Sequence, residues 1–125
     1  MISTLSLVAL GGAIGAALRY LAGVGILRLV GLHDFPVAIL TVNVVGSFLM
    51  GVFVVLAAER GLTHLGPFVM TGLLGGFTTF SSFSLEMMLL IERGQSPLAV
   101  TYAAVSLLAG VTGLYLGLIA MRIAG

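Results

Sequence analysis

Along the chain, long apolar stretches alternate with three short polar interruptions. Apolar residues dominate positions 3 to 27, 36 to 58, 66 to 91 and 97 to 120. A helix needs about 20 predominantly apolar residues to cross the hydrocarbon core of a bilayer, so the pattern predicts four transmembrane helices over those ranges. The interruptions read RLVGLHDFP, ERGLTHLGP and ERGQSP and gather Arg28, His33, Asp34, Glu59, Arg60, His64, Glu92 and Arg93. Each closes on a proline (Pro36, Pro67, Pro97), whose fixed φ and missing N–H suit the first turn of a helix. Little chain remains outside the spans and no internal repeat relates them, so residues 1–125 are expected to form one all-α, four-helix membrane domain.

Composition agrees with that pattern and narrows the chemistry. The chain is 60% hydrophobic and 7% charged, well outside the range of soluble domains. It has no cysteine, tryptophan or lysine, which removes disulfides, thiolate metal sites and a basic nucleic-acid patch from consideration. The opening MISTLSLVALGG lacks a basic n-region, so no cleaved signal peptide is expected. Any function must lie within the bilayer, and the expected location is the cell membrane.

Orientation is normally set by arginines and lysines concentrated in cytoplasmic loops. With four spans, Arg60 and Arg122 fall on one side and Arg28 and Arg93 on the other, and Arg19 adds at most one more to the second side. That near balance permits insertion both ways up. A small chain so inserted could pair with itself antiparallel, giving the inverted two-fold architecture that larger transporters encode as fused repeats.

Polar residues at membrane depth are the candidates for chemistry. The stretch GGFTTFSSFS, residues 75 to 84, places two adjacent glycines, five hydroxyls and a phenylalanine at every third position inside the third span. Gly75-Gly76 would tolerate unwinding, and the carbonyls freed there could bind an ion if buried in protein. The third helix is therefore expected to break near Gly75-Gly76. If helix resumes near Thr79, Phe80 and Phe83 share a face, with Thr79 and Ser82 on a neighbouring stripe. Rings turned edge-on to a narrow path would favour an anion, since the ring edge is positive; the same spacing also suits ordinary core packing. Asn43, with Ser47 one turn later, can donate into a pore or hydrogen-bond between helices. Arg19 can snorkel to the interface or supply a fixed positive charge at a vestibule. Glu86 lies in the second half of the third span, either ionised or as a neutral packing group. Tyr102, Ser106 and Gly110 form a stripe at steps of four on the last helix. Small pairs at helix-packing spacing (Gly11 and Gly15, Gly12 and Ala16, Gly113 and Gly117) let backbones approach closely in lipid.

GGFTTFSSFS, together with VNVVGSF in the second span and GGAIGAALRY in the first, closely resembles the small Fluc (CrcB-like) fluoride channels of microbes, and the likeness extends over all four spans. The resemblance implies an antiparallel, dual-topology homodimer with two fluoride pores and a structural sodium ion, Na+, at its centre. By position, Phe80 and Phe83 would be the ring pair whose edges meet fluoride and Asn43 the pore amide donor. Arg19 would stand at the vestibule, and Gly75 and Thr78 would offer backbone carbonyls to sodium. Thr79, Ser82, Tyr102 and Ser106 would supply hydroxyls along the path, and Glu86 a carboxylate below the rings. This chain departs from the pattern at Ser82, where threonine is more usual, at Gly110, where a hydroxyl can occur, and at Ile39, where a threonine often stands. The implied activity is passive export driven by the membrane potential, without enzyme chemistry or an ATP site. An alternative is a small multidrug-type proton-coupled exporter, but that class is built around a glutamate in the first span, where this chain carries Arg19.

Overall fold

The computed structural model describes residues 1–31 and 34–124, so His33 of the first connector lies outside it. Helix α1 (Ile2–Val30) ends where Gly31 takes a φ of 77°, a conformation open to glycine at little cost. Helix α2 (Val37–Arg60) follows Pro36 and ends at Gly61 in the left-handed region, with the Leu62 amide donating back to the Ala57 carbonyl at 2.8 Å. The Gly61 amide donates to the same carbonyl, so the helix end is closed by two donors. The third span opens with a 3-10 turn (Thr63–Leu65) and widens into a π-helical stretch over Pro67–Leu74. It continues as one α-helical turn, α3 (Gly75–Phe77), and finishes as α4 (Phe80–Glu92). Helix α5 (Ser96–Ala124) completes the chain. Among the described residues, four helical spans are thus long and apolar enough to cross a membrane, the third taken as Thr63–Glu92.

The helices associate as two close pairs. α1 lies along the first half of the third span, and α2 lies along α5. Without a hydrophobic drive between helices in lipid, such contacts depend on close backbone approach, and glycines permit it. Gly11 and Gly12 of α1 interlock with Gly72 and Gly76: a Cβ on Gly76 would stand 2.7 Å from the Gly12 carbonyl oxygen, and one on Gly72 would stand 2.8 Å from that of Val8. In the second pair Gly51 meets the Leu114 carbonyl and Gly117 meets that of Phe48.

The break in the third span is displaced from its expected place. Gly75 and Gly76 are helical, Gly75 with φ −62° and ψ −39°. The chain instead extends at Thr78 (φ −87°, ψ 159°) and Thr79 (φ −151°, ψ 119°). The physical reason is that Gly76 is committed to its contact with α1, where a helical turn fits, whereas Thr79 can start a new helix. Its hydroxyl accepts the Ser82 amide at 3.1 Å, the bond of an N-cap threonine. At the break the span also changes partners: the part before it packs on α1 and α4 packs on α5. Leu90, Ala99 and Tyr102 form a small buried core there, joined by Phe35, Ile39 and Phe83.

Candidate functional site

At the extended residues the Thr79 amide loses its helical hydrogen bond, and α2 replaces it. Asn43 donates Nδ2–H to the Thr79 carbonyl at 3.0 Å, and its Oδ1 accepts the Thr79 amide at 2.8 Å. The side-chain amide thus pairs with the backbone as a neighbouring strand would. One Nδ2 hydrogen remains, because a primary amide has two. α2 reaches the break because residue 46 is glycine: a Cβ there would collide with Cγ2 of Thr78. Thr78 turns back on its own helix, its amide and hydroxyl both donating to the Leu74 carbonyl, at 3.0 and 2.9 Å. The Thr79 amide, which would close the next turn on the Gly75 carbonyl, is spent on Asn43.

Around this clamp lies an open groove of about 580 Å³. Asn43, Ser47, Thr78, Thr79, Phe80 and Phe83 border it on one side, and Ser106, Leu107, Gly110 and Leu114 of α5 on the other. Phe80 is 79% exposed, a large ring projecting from the chain near the middle of the third span. The rings run in sequence from there. Phe80 and Phe83 have centroids 5.8 Å apart, Phe83 and Tyr102 5.0 Å, and Tyr102 meets Phe35 edge to face at 5.5 Å. Tyr102 is fully buried. Its hydroxyl and that of Ser106 are enclosed without a hydrogen-bond partner. Such groups are costly unless something supplies the missing bond.

Two charged candidates stand apart. Arg19 is directed inward, its Nε–H donating to the Gly76 carbonyl at 3.2 Å, so snorkelling alone does not describe it. Glu86 borders a different groove of about 230 Å³, between the end of α1 and the start of α2, with Ile26, Phe35, Pro36 and Ile39.

Comparison with known proteins follows the same residues. The model of the family described as CrcB-like protein, Camphor Resistance (CrcB), matches residues 6–118. The chain belongs to the CrcB-like family. It is 59% identical over 122 residues to the fluoride-specific ion channel FluC of Ruegeria sp. (strain TM1040), covering 98% of this chain and 97% of that one. It is 62% identical over 116 residues to the FluC of Roseobacter denitrificans, covering 92% of each, and 50% identical over 119 residues to that of Rhodospirillum centenum, covering 94% of each. With four spans of sufficient length, this CrcB-like chain is a multi-pass membrane protein.

Within this CrcB-like chain, the structure brings Asn43, Thr79, Phe80, Phe83 and Ser106 to one groove. Tyr102 joins them through its ring contact with Phe83, and Ser82 lies at the cap just beyond. Gly75 and Arg19 belong to the α1 side of the break and Glu86 to the second groove. Sequence reasoning missed Phe35, at the far end of the ring series, and Met87, which borders the main groove. Met87 lies one turn after Phe83, a spacing that could have flagged it; nothing local marks Phe35.

Proposed function

We propose that this chain is a fluoride-selective passive channel that exports the ion from the cytoplasm. The observation that carries the reading is the groove at the break, lined by Asn43, which keeps one N–H unspent, by Ser106 and by two phenylalanines. Fluoride is small and strongly hydrated, so a pore must replace its water with donors while staying too narrow for chloride. Asn43, Ser106 and Tyr102 supply donors, and the positive edges of Phe80 and Phe83 supply apolar contact favourable to an anion. The amino-terminal end of α4, at the break, adds a dipole of the right sign. Fluoride efflux from liposomes holding the purified protein tests this, with chloride and an aromatic cation as the alternatives. Fluoride flux alone supports the proposal; aromatic-cation transport coupled to protons would replace it with a small multidrug-type exporter.

The functional unit we propose is an antiparallel homodimer with two pores. A single subunit leaves Phe80 exposed and its groove open on one side, and the arginines are nearly balanced between the two faces. Tags on the carboxyl terminus should accordingly be found on both sides of the membrane. A single orientation in the active protein would overturn dual topology.

At the centre of that dimer we place a structural sodium ion. The Gly75 carbonyl fits this role because its usual helical donor, the Thr79 amide, is taken by Asn43, and Thr78 is extended rather than helical. Backbone carbonyls of Gly75 and Thr78 would hold the ion, a hard cation suited to oxygen ligands, and its charge would tie the two subunits together. Replacing sodium by a bulky organic cation should lower dimer stability, by about 2.7 kcal/mol where sodium had stood at about a hundred times its dissociation constant. Subunit exchange between differently labelled dimers measures it, and an unchanged exchange rate would remove the site.

A further inference from the structure

We infer that Arg19 is a positioning residue of the helix break, acting through its Nε–H on the Gly76 carbonyl to hold the neighbouring carbonyls where a cation can use them. The sodium part of this inference rests on the structural ion proposed above; the backbone part does not. Three observations converge on it. First, Arg19 Nε lies 3.2 Å from the Gly76 oxygen, across 57 positions of sequence. Second, α1 is pressed directly against this last helical turn: Gly15 abuts the Leu73 carbonyl and the Phe77 amide, and Gly76 abuts Gly12 and the Ala16 amide. Arg19, one turn beyond Gly15, is thereby brought within reach. Third, the turn has lost its normal continuation, since the Thr79 amide goes to Asn43.

A helix that stops inside a membrane leaves carbonyls that need donors. Three of them here have distinct fates. Leu74 receives the amide and hydroxyl of Thr78, and Gly76 receives Arg19. Gly75 is left by the amide that would have closed on it. By occupying Gly76, the guanidinium fixes the peptide planes on either side and makes Gly75, rather than Gly76, the carbonyl available to an ion. The cationic group also complements the negative end of this half-helix.

Two substitutions separate this role from a purely electrostatic one. In Arg19→Gln, a side-chain nitrogen bearing N–H stands the same number of bonds from Cα as Nε does, without charge. In Arg19→Lys a methylene takes that place, and the charge is kept one atom further on. Two quantities are read for each: amide hydrogen exchange over residues 75 to 79 in lipid nanodiscs, and the sodium concentration at which subunit exchange is half suppressed. Positioning by Nε predicts that Arg19→Gln stays near the parent in both. It predicts that Arg19→Lys exchanges faster and requires more sodium, each by up to about tenfold, the size of one ordinary hydrogen bond. The reverse order, or equal behaviour of the two variants, overturns the inference. If the parent dimer proves indifferent to sodium, the ion proposal fails by itself, and the exchange data still decide whether Arg19 holds the break.

Discussion

Phe80→Ile and Phe83→Ile should each carry fluoride far more slowly than the parent while still forming the proposed dimer. Isoleucine keeps apolar bulk but has no ring edge. The electrostatic attraction of a desolvated ion to an aromatic quadrupole is worth about 2 kcal/mol, here with an anion at the edge instead of a cation at the face. Loss of that amount at a barrier slows passage roughly thirtyfold, and loss of both rings roughly a thousandfold. The two sites differ usefully in what else they do. Phe80 is 79% exposed in the subunit, so its ring contributes little to the packing of a single chain. Phe83 packs on Tyr102 at 5.0 Å between centroids, and its replacement also loses an aromatic pair worth about 0.5–1.5 kcal/mol. A flux defect at Phe80 with normal dimer yield is therefore the cleaner reading. Near-parental flux in both variants would mean the rings only pack.

These rings show how far the sequence could be read. Four apolar stretches of bilayer length predict four spans, because hydrophobic length is a local property that the bilayer itself measures. The clustering of hydroxyls and rings in GGFTTFSSFS marked where the third span would depart from regular helix, and the departure is there. Its exact place was not legible. Two adjacent glycines offer two uses, backbone freedom and close approach, and only the position of α1 decides between them; Gly76 lies against Gly12 and Ala16 and stays helical. The pairing of Gly72 and Gly76 with Gly11 and Gly12 is not legible for the same reason, since helix spacing alone does not tell which faces meet. Asn43 illustrates a subtler limit. Its amide could be assigned to a pore or to glue between helices, and the structure commits both kinds of group at once: one donor and the acceptor to Thr79, one donor left over. Glu86, which the resemblance puts below the rings, borders a separate groove that it shares with Phe35 and Ile39. Which groove a helical side chain enters depends on the neighbour of that helix, here α2, and no spacing within the third span encodes it.

Asn43→Asp should abolish fluoride passage, and the geometry at Thr79 shows how to tell loss of a pore donor from collapse of the break. An aspartate at 43 has nearly the same shape, and one oxygen can still accept the Thr79 amide now held at 2.8 Å. The other oxygen replaces Nδ2, so it faces the Thr79 carbonyl with acceptor against acceptor and has no hydrogen to offer the groove. Loss of a donor to a charged species costs about 1.5–3 kcal/mol, and an added negative charge repels the anion further, so flux should fall by at least about a hundredfold. Asn43→Ala removes both bonds to Thr79 and leaves the break without its clamp. Hydrogen exchange at the Thr79 amide then separates the two effects: protected in Asn43→Asp, unprotected in Asn43→Ala, with fluoride flux lost in both. If Asn43→Asp keeps that protection and also keeps near-parental flux, Asn43 holds the helix break and does not touch the ion.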